Sequence, residues 1–153
     1  MKTNSFLFGL LFMLCLQSTH AQIAVSYIPM QSLLGLSSNT EKALWADFKL
    51  QTNSFVSNLN MEFSAKWNFS RKKPVNYYAG PGWSMNPAYA FVDLPVVNGY
   101  FVDFGARIKP FGRVKNLQVV FEISPYVNAT FNGGNLRTRL GIAWNFSKKD
   151  TAK

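Results

Sequence analysis

The chain has 153 residues, room for one domain rather than two, with 16 Lys and Arg against 7 Asp and Glu, one Cys and one His. The single Cys15 and the single His20 both fall near the N-terminus, so the chain from Gln22 onward carries neither thiolate nor imidazole. That remainder has no Cys or His metal site, no Ser-His-Asp or Cys-His arrangement and no disulfide to stabilise a small secreted domain.

In chain order, Lys2 precedes an apolar run over 6–16, and a polar stretch over 17–21 places the small residues Thr19 and Ala21 three and one positions before a cut. This layout predicts a cleavable signal peptide over 1–21. The apolar run is too short for a spanning helix, which needs about 20 residues, and Leu14 before Cys15 is not the small residue that lipidation requires. Loss of Lys2 leaves 15 bases against 7 acids, or +8. A basic balance raises nucleic acid as a partner, but export argues against it, and no nucleic-acid partner is expected.

Residues 22–37 alternate at Ile23, Val25 and Tyr27 before Pro29 and at Leu34 and Leu36 after it, which predicts a short first hairpin. Over 44–51, Leu44, Ala46, Phe48 and Leu50 alternate with Trp45, Asp47, Lys49 and Gln51. The clearest segment is 59–70. Leu59, Met61, Phe63, Ala65, Trp67 and Phe69 alternate there with polar residues throughout, longer than the 5 or 6 residues typical of a soluble strand. Residues 75–83 form a weaker, glycine-rich strand with Tyr77, Ala79 and Trp83 in phase. Further period-two runs occupy 100–109, 117–131 and 136–146.

Short turn signals separate these runs at 37–42, 52–58, 71–74 and 110–116, and Asn132-Gly133-Gly134-Asn135 predicts a hairpin tip. Only 84–98 is long, and its prolines Pro87 and Pro95 argue for a loop. Long strands with short turns predict an all-β fold, an antiparallel up-and-down transmembrane β-barrel of about eight strands over 22–146, followed by a polar tail over 147–153. A single strand bent at Pro29 would give seven.

Alternation does not say which phase faces which solvent, because soluble and membrane barrels share it. One phase collects Asp47, Lys49, Glu62, Lys66, Asp103, Arg107, Lys109, Glu122, Arg137 and Arg139, a candidate lumen charge network that an eight-stranded bore can hold if opposite charges pair. A solvated outer face explains the same list about as well. Trp67, Phe69, Tyr77, Phe111, Trp144 and Phe146 sit beside basic turns and fall at one end of the barrel if strands alternate in direction, as in a membrane-interface aromatic belt. Tyr89, Phe91, Val96 and Val97 in the long loop are the expected contact surface.

The last strand reads Arg139-x-Gly141-x-x-Trp144-x-Phe146, which resembles the C-terminal assembly signal of bacterial outer-membrane barrels. The segments LWADFKLQTNSF, VNYYAGPGW and GARIKPFGRVKNLQVVFEISPY resemble small, largely uncharacterised outer-membrane β-barrel proteins of Bacteroidota-type Gram-negative bacteria. That resemblance implies the cell outer membrane as location, with its lipid and its insertion machinery as partners, and it supplies no ligand or activity. No catalytic residue, metal ligand or cofactor is identified. The leading expectation is a non-enzymatic structural or interaction barrel. Its alternatives are a narrow anion-favouring porin-like channel and a soluble secreted barrel holding an apolar ligand among its aromatics.

Overall fold

Period-two patterning leaves the backbone groups of each segment to be satisfied by neighbours on both sides, and closing the sheet on itself satisfies them all. The computed structural model, which describes residues 22–52, 59–72, 74–114 and 116–146, has this form. Its strands are β1 (Ile23–Ile28), β2 (Leu33–Ser37), β3 (Leu44–Gln51), β4 (Met61–Lys72), β5 (Val75–Met85), β6 (Val97–Ile108), β7 (Leu117–Asn128) and β8 (Gly134–Phe146). Each pairs antiparallel with the next, and β1 pairs with β8 to close an eight-stranded barrel. The expected signal at 1–21, the tail at 147–153 and residues 53–58 of one expected turn lie outside the described residues.

Strand direction sorts the connections into two ends. The terminal end carries the start of β1, the end of β8 and the β2–β3, β4–β5 and β6–β7 connections. The loop end carries β1–β2, β3–β4, β5–β6 and β7–β8. Around most of the wall the strands run 11 to 13 residues, but β1 and β2 have only 6 and 5. Pro29 stops β1, and a 3-10 turn over Pro29–Gln31, closed by Ser32 in the left-handed region at φ 50°, returns the chain into β2. The first hairpin is therefore real, and the count is eight rather than seven.

The phases settle which face is inside. Trp45, Asp47 and Lys49 of β3, Glu62 and Lys66 of β4, Tyr78 of β5, Phe101, Asp103 and Arg107 of β6, Glu122 of β7 and Arg139 of β8 are buried in the bore. Their outward partners Trp67, Phe69, Trp83, Phe104, Phe121, Ile142, Trp144 and Phe146 are all exposed. The barrel is charged within and apolar without.

Several boundaries differ from the patterned reading. Residues 84–85 extend β5 and 97–99 extend β6, so the expected loop over 84–98 shortens to a 3-10 helix over Pro87–Val92 with its flanks. Ser84, Asn98 and Gly99 are inward or mouth residues with no apolar partner in phase, which hides strand character. The phase expected to run on through Phe131 stops at Asn128, and the tip falls on 129–133 instead of 132–135. Asn128 causes this: its side-chain carbonyl accepts the Asn132 and Gly133 amides at 3.0 and 3.3 Å, closing the turn. The left-handed position is Phe131 at φ 58°, whose ring stacks on Tyr100 at 5.7 Å, and not a glycine.

Glycine matters here mainly as space. Gly105 pairs with Tyr78 across β5 and β6, and a Cβ at Gly105 would stand 2.5 Å from the Tyr78 ring. Gly82 likewise pairs with Phe101, whose ring covers it. Tyr78 and Phe101 each thus cover a strand partner with no side chain, which lets these large rings fit in a narrow bore. Gly105→Ala is expected to lower stability by about 1–3 kcal/mol through overpacking. Gly112→Ala, where nothing lies within 4 Å of the new Cβ, should change it by less than about 0.5 kcal/mol. Denaturant unfolding of the refolded barrel measures both.

Candidate functional site

The bore is filled by one connected polar network. At its centre the ammonium of Lys66, fully buried, lies 2.8 Å from Asp47 Oδ2, 3.0 Å from Asp103 Oδ2 and 2.6 Å from Glu122 Oε1. Lys49 reaches the same three carboxylates at 3.4, 3.5 and 2.5 Å. Tyr78 donates its hydroxyl to Glu122 at 2.8 Å, and the rings of Tyr78 and Trp45 flank Lys66 at 5.0 and 5.2 Å. Three carboxylates converge on the two ammonium groups, which sit between them.

Toward the loop end, Arg139 donates two hydrogen bonds to Glu62, at 2.8 and 2.9 Å, and a third to Gln31. Arg137 donates to Glu62 at 2.8 Å and lies over the rings of Phe101 and Tyr126, at 5.0 and 4.4 Å. Toward the terminal end, Ser37 donates to Asp47 at 2.7 Å and accepts from Arg107 at 3.0 Å, and Arg107 lies 4.7 Å over Trp45. Arg107 also approaches Gln118, which donates to Glu41, and Glu41 in turn pairs with Lys109 at 2.7 Å. A continuous ladder of charges and hydrogen bonds therefore runs from mouth to mouth.

The ten charges read from the sequence are thus brought together, with one adjustment. Lys109 follows the end of β6 and sits half-buried at the mouth with Glu41, instead of deep in the bore. Glu41 was missed because it lies in a turn, where period-two reasoning assigns no face. Counting it gives six bases against five acids, so the excess of cations that favours anion passage nearly vanishes. Tyr78, Ser37 and Gln118 were missed as neutral members; Tyr78 shares the inward phase with Gly80 and Gly82, a signal that was legible.

The belt residues Trp67, Phe69, Tyr77, Phe111, Trp144 and Phe146 are all exposed and all lie toward the terminal end. A second outward set, Tyr27, Trp83, Tyr100 and Phe131, lies toward the loop end and was not foreseen. The residues of the expected loop surface differ in exposure. Val97 opens β6 and pairs with Met85, Val96 accepts the Asn86 amide at 2.8 Å, and Tyr89 is half-buried. Phe91 alone of the four is freely exposed, joined by Met30, Val92 and Leu94.

Of the terminal pattern, Arg139 and Gly141 point inward and Trp144 and Phe146 outward. A Cβ on Gly141 would run 2.5 Å from the Tyr27 carbonyl, so this glycine lets β1 approach β8 at the closing seam. The aromatic phase faces outward, which removes the reading of a soluble barrel that holds an apolar ligand among those rings. The apolar groove that is present, about 510 Å³, lies on the outer wall between Leu36, Ala46, Phe48, Phe63 and Trp83.

Comparison with known protein families, with characterised proteins and with solved structures finds no match to this chain.

Removing Lys66 leaves three buried carboxylates short of their principal cation, so Lys66→Met is expected to cost about 3–5 kcal/mol in denaturant unfolding. Glu41 gives a pH signature. Burial pushes its carboxyl up, but Lys109 and the donors Asn76 and Gln118 outweigh that and hold it below its ordinary 4.5. A lowered folded-state pKa stabilises above the ordinary value, and that stabilisation is lost as pH falls through the folded value. The stability gap between wild type and Glu41→Gln should therefore hold constant from neutral pH to about 5 and close on further acidification.

Proposed function

We propose that this chain is an outer-membrane β-barrel with a structural or interaction role, closed to bulk flow and acting through its ends. The observation that carries this reading is the inversion of the two phases. On the order of 2,000 Å² of apolar side chain faces outward, against the few hundred Å² that a soluble monomer exposes in one patch. Such a surface is stable against hydrocarbon and unstable in water. Tyr77 and Trp83, one from each aromatic set, stand six residues or about 20 Å apart along β5, which at the usual strand tilt falls within the ~25 Å apolar band of outer-membrane barrels. Among the described residues no helix is long and apolar enough to cross a membrane, so any crossing falls to the strands.

The sequence features agree with this location. A signal-like N-terminus supplies export, and the Arg139 to Phe146 pattern suits recognition by the insertion machinery through strand pairing with β8. The family resemblance noted above points the same way. A conducting pore is the weaker reading, because Lys66, Tyr78, Arg107, Glu122 and Arg139 are each no more than 1% exposed and together occupy the bore.

Protein refolded into detergent or vesicles should run as a compact species on an unheated gel and shift mobility on boiling. A stable monomer that needs no detergent would contradict the membrane reading. Planar-bilayer recordings on the same material should show no conductance steps, and ohmic steps would restore the channel.

A further inference from the structure

The charges of this barrel are segregated by end. The connections at the loop end contain a single charged residue, Asp93. The terminal end carries Lys42, Arg71, Lys72, Lys109 and Arg113 against Glu41, and the sequence places Lys73 and Lys115 in the same connections. Within the bore, Asp47, Glu62, Asp103 and Glu122 balance Lys49, Lys66, Arg107 and Arg139, leaving only Arg137 over. Among the described residues, the net charge therefore sits almost wholly at one mouth. Lys109 is neutralised by Glu41, but Lys42, Arg71 and Arg113 are exposed.

Position decides what these cations meet. The terminal-end connections are short, so they do not reach far from the wall. Arg71 follows Phe69 by two residues, about 7 Å along the strand, and Lys42 precedes the outward Leu44 by the same interval. Cations at that spacing from outward aromatic and aliphatic side chains lie at headgroup depth when those side chains are in hydrocarbon. A soluble polyanion or a distant partner would be met by cations on longer connections.

Building on the membrane reading, we propose that the terminal end binds anionic phospholipid headgroups of the leaflet it occupies, with Lys42, Arg71 and Arg113 as the phosphate contacts. Such contacts fix the depth and tilt of a barrel whose β1–β2 wall is too short to do so. The loop end, without cations, has no preference for anionic lipid.

The test refolds wild type and a Lys42→Gln, Arg71→Gln, Arg113→Gln variant into vesicles of phosphatidylcholine, alone or mixed with phosphatidylglycerol, and measures association of spin-labelled lipids. Both proteins should be heat-modifiable in both vesicles. Wild type should prefer the phosphatidylglycerol probe about fivefold, a preference that weakens with added salt and is lost in the variant. Asp93→Asn should leave it unchanged. Equal association of both probes with wild type, or an undiminished preference in the variant, would overturn the proposal while leaving the membrane barrel standing. Tighter binding of a soluble polyphosphate by the detergent-solubilised barrel, without any lipid preference, would overturn it in favour of a soluble partner. Absence of heat-modifiability in either vesicle would overturn the membrane reading itself, and the lipid site with it.

Discussion

The structure depends on keeping Lys66 and Lys49 among Asp47, Asp103 and Glu122 in a bore from which water is almost excluded. Moving each ion out of water costs several kcal/mol, on the order of the whole stability of a small domain for a handful of ions. The cost is offset only where every ion has more than one partner, and here each carboxylate at the centre meets both ammonium groups. Tyr78, Ser37 and Gln118 add neutral donors and acceptors. Four carboxylates and four bases deep in the bore make it close to neutral, so charge there is structural, and among the described residues the exposed cations lie at the terminal end.

This constraint also dictates the fold's other features. A bore crowded with Arg and Lys stems and three rings has room only if opposing positions are empty, which is why Gly105 and Gly82 face Tyr78 and Phe101. Pro81 and Pro125 both point outward, and the ladder pairing lapses beside each, Pro81 toward β4 and Pro125 toward β6. There a missing amide costs least. Filling the interior with charges leaves the apolar residues nowhere but outside, so the charged lumen and the apolar outer surface are one design.

Most strands were legible in the sequence because a period of two assigns each residue a face wherever both faces have distinct composition. Residues 61–70 show this most fully. Legibility failed where that contrast disappears. At 84–85 and 97–99, small polar residues occupy the inward positions, and the strand looks like loop. Around 129–133 the deciding feature is a side-chain carbonyl of Asn128, invisible to any periodicity. Ten charges of the network were readable from phase, whereas Glu41 was not, since its partner Lys109 is reached only by closing the barrel across 68 residues. The direction of the phases was the one global property that alternation left open, and the burial of Lys66 and Glu122 against the exposure of Phe104 and Trp144 decides it.

The central claim, apolar wall outward in lipid and charged bore inward, is tested most directly by the four tryptophans. Trp67, Trp83 and Trp144 face outward and Trp45 faces the bore at 5% exposure. Variants that each retain one tryptophan, refolded in vesicles of brominated lipid, report lipid contact through fluorescence quenching. Strong quenching of Trp67, Trp83 and Trp144 with Trp45 spared is the predicted result; quenching of Trp45 alone, or of none of the four, would contradict it.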